Sequence, residues 1–132
     1  MLELVDEFFA DLDSLKLGPL NTRDIGTTEI ILRNGAADNV ELAAQFTSDE
    51  GAWVRSCWLK IKQSGAITVG KIIRVRIETD TAGLPGGTVV GTSATVAANG
   101  VGSEFEWVEF TFPTFVFLSA STTYHLILHG DF

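Results

Sequence analysis

Residues 74–128 read as a string of short β-strands, and this string constrains the fold more than any other feature of the chain. The run RVRIETD at 74–80 alternates polar and apolar positions, and GLPGG at 83–87 is a turn signal. The run at 88–96 is rich in β-branched residues, and EWVEFTF at 106–112 is a dense strand stopped by Pro113. Residues 118–123 lead into a last strand, YHLIL at 124–128. Short strands at this spacing, separated by Gly, Pro, Ser and Asn, predict an all-β antiparallel sandwich of jelly-roll type.

The earlier strands follow the same logic. Residues 40–47 form an imperfectly alternating strand ended by the turn residues 48–51, and Asn34–Gly35 is a strong turn signal. In residues 52–63, Trp53, Cys57, Leu59 and Ile61 share one parity, while Ser56, Trp58, Lys60 and Lys62 share the other. Arg55 breaks the inward set, which points to a bulge there or a later strand start. Ile73, Val75 and Ile77 face inward in the next strand, with Arg74, Arg76 and Glu78 outward. Pairing these two strands as antiparallel neighbours puts Lys60, Lys62, Arg74 and Arg76 on one basic stripe. Such a stripe calls for an acidic counterpart, either Glu78 or another subunit.

The first segment has a different period. Val5, Phe8, Phe9, Leu12 and Leu15 recur at three- and four-residue intervals, which predicts an amphipathic helix stopped at Gly18–Pro19. Its apolar stripe packs either on its own sandwich or on a neighbouring subunit. The expected organisation is a helical arm over 1–20, a connector over 21–39 with one short apolar strand at 28–32, and a β-sandwich over 40–132. The chain stops just after the strand at 124–128, which suggests a missing or borrowed strand.

A chain of 132 residues fits one domain with a real core. The net charge of −8 argues against nucleic-acid binding, which needs a basic surface. Charge is segregated: residues 1–50 carry eleven acids against three bases, 51–80 six bases against two acids, and 81–132 four acids and no Lys or Arg. No apolar run approaches the length of a membrane span, and no signal peptide is visible. Cys57 is the single cysteine, so no intrachain disulfide forms, and its place in a strand pattern makes it a small core residue.

Nothing in the sequence demands an enzyme. His125 and His129 are the only histidines, and on one strand they lie about 13 Å apart, too far to share a metal ion. Glu104, Glu106 and Glu109 lie on or near one strand and read as a solvated face. No structural metal site is expected. Asp49, Glu50, Glu78 and Asp80 at strand ends leave calcium as the one cofactor the pattern admits, without EF-hand spacing. Trp53 and Trp107 read as core. Trp107 pairs in parity with Phe105, against Phe110 and Phe112, so the strand at 105–112 is apolar on both faces and sits deep or under a neighbour. Trp58, outward beside Lys60 and Lys62, is the candidate platform for stacking on a sugar.

The runs at 44–47, 58–62, 75–80 with 83–86, 107–112 and 118–124 together resemble the jelly-roll modules called choice-of-anchor domains, over about residues 40–130. Similar modules occur in secreted bacterial proteins and in bacteriophage structural proteins. The motifs are strand-and-turn motifs, and the resemblance carries no catalytic residues. The chain departs from it in its helical N-terminus and in an end that comes one or two strands early. With the amphipathic arm, the segregated charge and an apolar strand at 105–112 that needs a cover, the resemblance points to a non-catalytic assembly module, a bacteriophage virion surface component such as a capsid decoration or tail-associated protein, forming homo-oligomers or contacting other virion proteins. Val5, Phe8, Phe9, Leu12, Leu15, Arg74 and Arg76 are its expected subunit contacts. The alternative is an extracellular glycan-binding module of a larger secreted protein, with Trp58 as its platform.

Overall fold

The computed structural model describes the backbone of residues 2–12, 19–32, 41–63 and 65–131, and side chains within 41–63 and 65–131. In chain order the strands are β1 (Leu2–Leu12), β2 (Pro19–Leu32), β3 (Glu41–Ser48), β4 (Ala52–Gln63), β5 (Ile72–Thr81), β6 (Leu84–Thr92), β7 (Val96–Ala97), β8 (Glu106–Leu118) and β9 (Thr122–Gly130). A single 3₁₀ turn at Ala98–Gly100 follows β7. The strands form two antiparallel sheets, one in the order β2-β1-β4-β8 and one in the order β3-β9-β5-β6, with β7 also on β5.

From β3 to β5 each strand lies in the opposite sheet from the one before it, and so do β8 and β9. The sheets therefore face each other across one core. Val54, Cys57, Leu59 and Ile61 of β4 and Phe110, Phe112, Val116 and Leu118 of β8 supply one wall. Ile73, Val75, Ile77, Tyr124, Leu126 and Leu128 supply the other, joined by Leu42 and Phe46 of β3. Each large side chain so buried contributes roughly 1.5–3 kcal/mol of transfer free energy. The period-2 pattern of β4, β5 and β9 is what puts these residues on one face.

Local chemistry fixes the joins. Ala82 (φ 55°) and Gly83 (φ 84°) turn β5 into β6, as a two-residue hairpin with left-handed central positions requires. The turn thus takes only the first residue of the GLPGG run, whose Leu84–Gly87 already belongs to β6. After β6, Ser93 bonds both ways with Val75, through Ser93 N–H to the Val75 carbonyl (2.8 Å) and Val75 N–H to Ser93 Oγ (3.0 Å). The next residue, Ala94, donates to the Thr111 carbonyl of β8 at 2.8 Å. The segment thereby crosses from one sheet to the other and ties their edges together.

Four expectations change. Leu2–Leu12 is a strand paired with both β2 and β4 rather than a helix. The chain pairs with a neighbour on each side there, and such tertiary pairing overrides weak local propensity. Residues 13–18, with Leu15, lie outside the described residues, as does the Asn34–Gly35 turn. The strand expected at 28–32 is the end of the longer β2. Pro113 does not stop β8, which runs on to Leu118. As the outer strand of its sheet, β8 tolerates a residue without an N–H. Finally, β4 and β5 are not neighbours: they lie in opposite sheets, so Lys60 and Lys62 are parted from Arg74 and Arg76 by the core.

Candidate functional site

The bulge expected at Arg55 is present and has a large counterpart. Ser56 pairs with Thr111 and Val54 with Val116, so a single residue of β4, Arg55, faces residues 112–115 of β8. Pro113 sits inside this excursion, where its ring costs no ladder bond. The bulge also moves Trp53 off the parity of Cys57. Val54 is fully buried instead, and Trp53 points outward, 53% exposed. Trp107 is likewise outward, 37% exposed, on the odd positions of the outer strand. Neither tryptophan is core.

The outward odd positions of β8 continue past the bulge with Phe115 (45% exposed) and Phe117 (49% exposed). Phe117 pairs with Trp53 across the strands, and their rings lie 5.2 Å apart, tilted by 56°. Trp53, Pro113, Thr114 and Phe115 line a groove of about 550 Å³. The candidate site is therefore an aromatic wall on the outer face of the first sheet, shaped by the bulge. Phe110 and Phe112, by contrast, are buried in the protein's own core, so β8 is apolar on both faces but covered on one.

At the other end of the same face, Trp58 is half-buried, with Glu109 opposite it on β8 and Phe9 opposite it on β1. Lys60 lies opposite Trp107, and Lys62 Nζ stands 4.6 Å over the Phe105 ring. The expected contacts Val5, Phe8, Phe9 and Leu12 are on β1, with Phe8 in register with Leu59 and Leu12 with Val54. Their side chains lie outside the described set.

The outer face of the second sheet carries a network of paired polar side chains. Both terminal nitrogens of Arg76 bond to the two carboxylate oxygens of Glu41, and its Nε donates to Glu78 Oε1 at 2.7 Å. The Gly87 N–H donates to Glu78 Oε2 at 2.9 Å. These partners, Arg76 first, hold both carboxyls below the usual range and keep the guanidinium protonated. Arg76 thus meets the acidic counterpart that the sequence called for within its own fold, while Arg74 is exposed beside it. His125 Nε2 lies 2.8 Å from Asp80 Oδ1, and His129 Nδ1 lies 3.1 Å from Glu41 Oε1. His125 and the Gly83 N–H hold the Asp80 carboxyl low. With Glu78 and Asp80 so engaged, the strand-end acids do not converge, and the described residues contain no group of three His, Cys, Asp or Glu able to hold a metal ion. Glu104 and Glu109 are exposed, and Glu106 accepts the Gly102 N–H.

Sequence reasoning missed Pro113, Thr114, Phe115 and Phe117 because it ended the strand at Pro113. The signal was present: even positions 110, 112, 116 and 118 are apolar and buried, and the odd aromatics follow on the opposite parity. Comparison with protein-family models, with curated proteins and with solved structures finds no match to this chain.

Proposed function

We propose that the protein is a non-catalytic structural module that works by surface contact, as one component of a larger assembly. A bacteriophage virion surface protein of jelly-roll type is the setting that the sequence resemblance implies. The alternation of consecutive strands between sheets supports the jelly-roll reading. The observation that carries the function is the row of exposed aromatics, Trp107, Phe115 and Phe117 with Trp53, along the outer face of β8. Several exposed aromatics on one sheet face mark a contact site, and aromatic anchors dominate the energetics of interfaces. The neighbour is a second copy or another protein of the assembly. Light scattering on the full chain over a concentration series tests this. The expected result is association that Trp107→Ala and Phe117→Ala weaken at least tenfold. A monomer at every concentration, alone and with its assembly neighbours, overturns it.

The groove beside Trp53 favours a second reading, a glycan-binding module of a secreted protein. Its platform moves from Trp58, which is half-buried next to Glu109, to Trp53.

A further inference from the structure

The geometry points to a defined saccharide site: we propose that the groove between Trp53 and the 113–115 bulge binds a neutral oligosaccharide by the apolar face of one pyranose ring. This rests on the glycan-binding reading and gives it a place and a ligand class.

The lining selects the chemistry. Trp53, Phe115 and Pro113 present three flat or near-flat apolar surfaces, and Thr114 adds a single hydroxyl. Among the described residues, none with a charged side chain lines the groove. An anionic or cationic ligand would lose hydration there without gaining a counter-charge. A sugar ring matches it: its C–H face lies against the rings, and its hydroxyls stay in water or meet Thr114.

The size selects the scale. The groove volume of about 550 Å³ lies within the 300–1,000 Å³ typical of small-ligand sites. Counting Phe117 beside the groove with Trp53 and Phe115 in it, the half-exposed rings at this end of the sheet offer roughly 300 Å² in all. A stable protein interface needs about 800 Å² from each partner. This end of the sheet is therefore large enough for one or two sugar rings and too small to hold a subunit alone.

The site is also pre-organised. Phe117 packs against Trp53 at 5.2 Å and fixes the tilt of the indole. Pro113 locks its own φ in the bulge that forms the far wall. Little rotamer freedom remains to be lost when a ligand arrives.

A glycan array followed by titration of tryptophan fluorescence tests the site. The probes are a β-linked gluco-oligosaccharide, a β-linked galacto-oligosaccharide, heparin as a charged control and a proline-rich peptide as an aromatic-groove control. The variants are Trp53→Ala, Phe115→Ala, Trp58→Ala and Trp107→Ala, each checked for native circular dichroism. All four side chains are partly exposed, so the variants retain the core. Saturable binding of a neutral oligosaccharide is expected, weakened at least tenfold by Trp53→Ala and Phe115→Ala and unchanged by the other two. Glycan binding kept by Trp53→Ala but lost in Trp58→Ala overturns the groove and leaves the glycan reading standing. Absence of any glycan binding overturns both. Binding of heparin alone, or of the peptide in place of sugars, overturns the ligand class.

Discussion

His125 Nε2 stands 2.8 Å from Asp80 Oδ1, which joins the buried ring on β9 to the carboxylate that also accepts the Gly83 N–H of the β5–β6 turn. One carboxylate thereby links the middle of the second sheet to its outer hairpin. Its depressed pKa has a consequence for stability. A carboxyl held low in the folded state stabilises the fold above the unfolded pKa of about 4, and that contribution is lost as pH falls through the folded pKa. Glu41 and Glu78 act in the same direction. The melting temperature is thus expected to hold steady down to about pH 5 and to fall below about pH 4. Asp80→Asn makes that acid limb shallower. Thermal melts of both proteins from pH 3 to pH 7 check it, and parallel acid limbs would contradict the role of Asp80.

Arg76 is the only described partner that carries positive charge to the buried Glu78. Arg76→Ala leaves that carboxylate buried with one N–H bond, which costs about 3 kcal/mol. Adding Glu78→Gln removes the orphaned charge, so the double variant is expected to be more stable than Arg76→Ala alone. Denaturant midpoints of the three proteins measure this. A double variant less stable than Arg76→Ala would contradict it.

Gly91 of β6 meets Val116 of β8 across the two sheets, and a Cβ built on Gly91 collides with a Val116 methyl. Gly91→Ala is expected to cost about 1–3 kcal/mol through overpacking. In the Val116→Ala background the same substitution costs much less, because the obstructing methyls are gone. A double-mutant cycle by urea denaturation reads the coupling, and additive effects would show that the sheets do not touch there.

Burial pushes the Cys57 thiol well above its ordinary range, with the Glu109 charge adding to the effect. Its thiolate is the reactive form. The native protein is expected to resist a thiol-reactive chromophore at pH 8 and to react fully once unfolded in guanidinium. Rapid labelling of the native protein would mean that β4 opens locally.

The strand pattern was legible where a segment has one buried face and a single register. The pattern bounds Ala52–Gln63 in full and marks Arg55 as the irregular residue, and Cys57, Leu59 and Ile61 are in the core as their parity requires. Two kinds of information were not local. Lys60 and Arg76 have the same alternation whether their strands pair or oppose each other, because the connection between β4 and β5 suits a hairpin or a crossing between sheets. For the first segment, Leu2, Leu4, Phe8, Ala10 and Leu12 satisfy a period of two, while Val5, Phe8, Phe9, Leu12 and Leu15 satisfy a period near 3.6. Pairing with β4 decides between them. The aromatic wall was hidden for another reason. A proline ends a central strand but not an outer one, and only the sheet order tells which kind β8 is.

The place of β9 between β3 and β5 sets a timetable for synthesis. It is made after the eight other described strands, yet it supplies the hydrogen-bond partners of both neighbours. Until it leaves the ribosome, β3 and β5 each carry an unpaired edge, and the second sheet exists only as the β5–β6 hairpin with its β7 extension. Pairings so distant in sequence form slowly, and open edges recruit other chains while they wait. During expression, then, yield depends on how long the nascent chain remains without its ninth strand. Slower, cooler synthesis or a holding chaperone is expected to raise the soluble fraction without altering the finished fold.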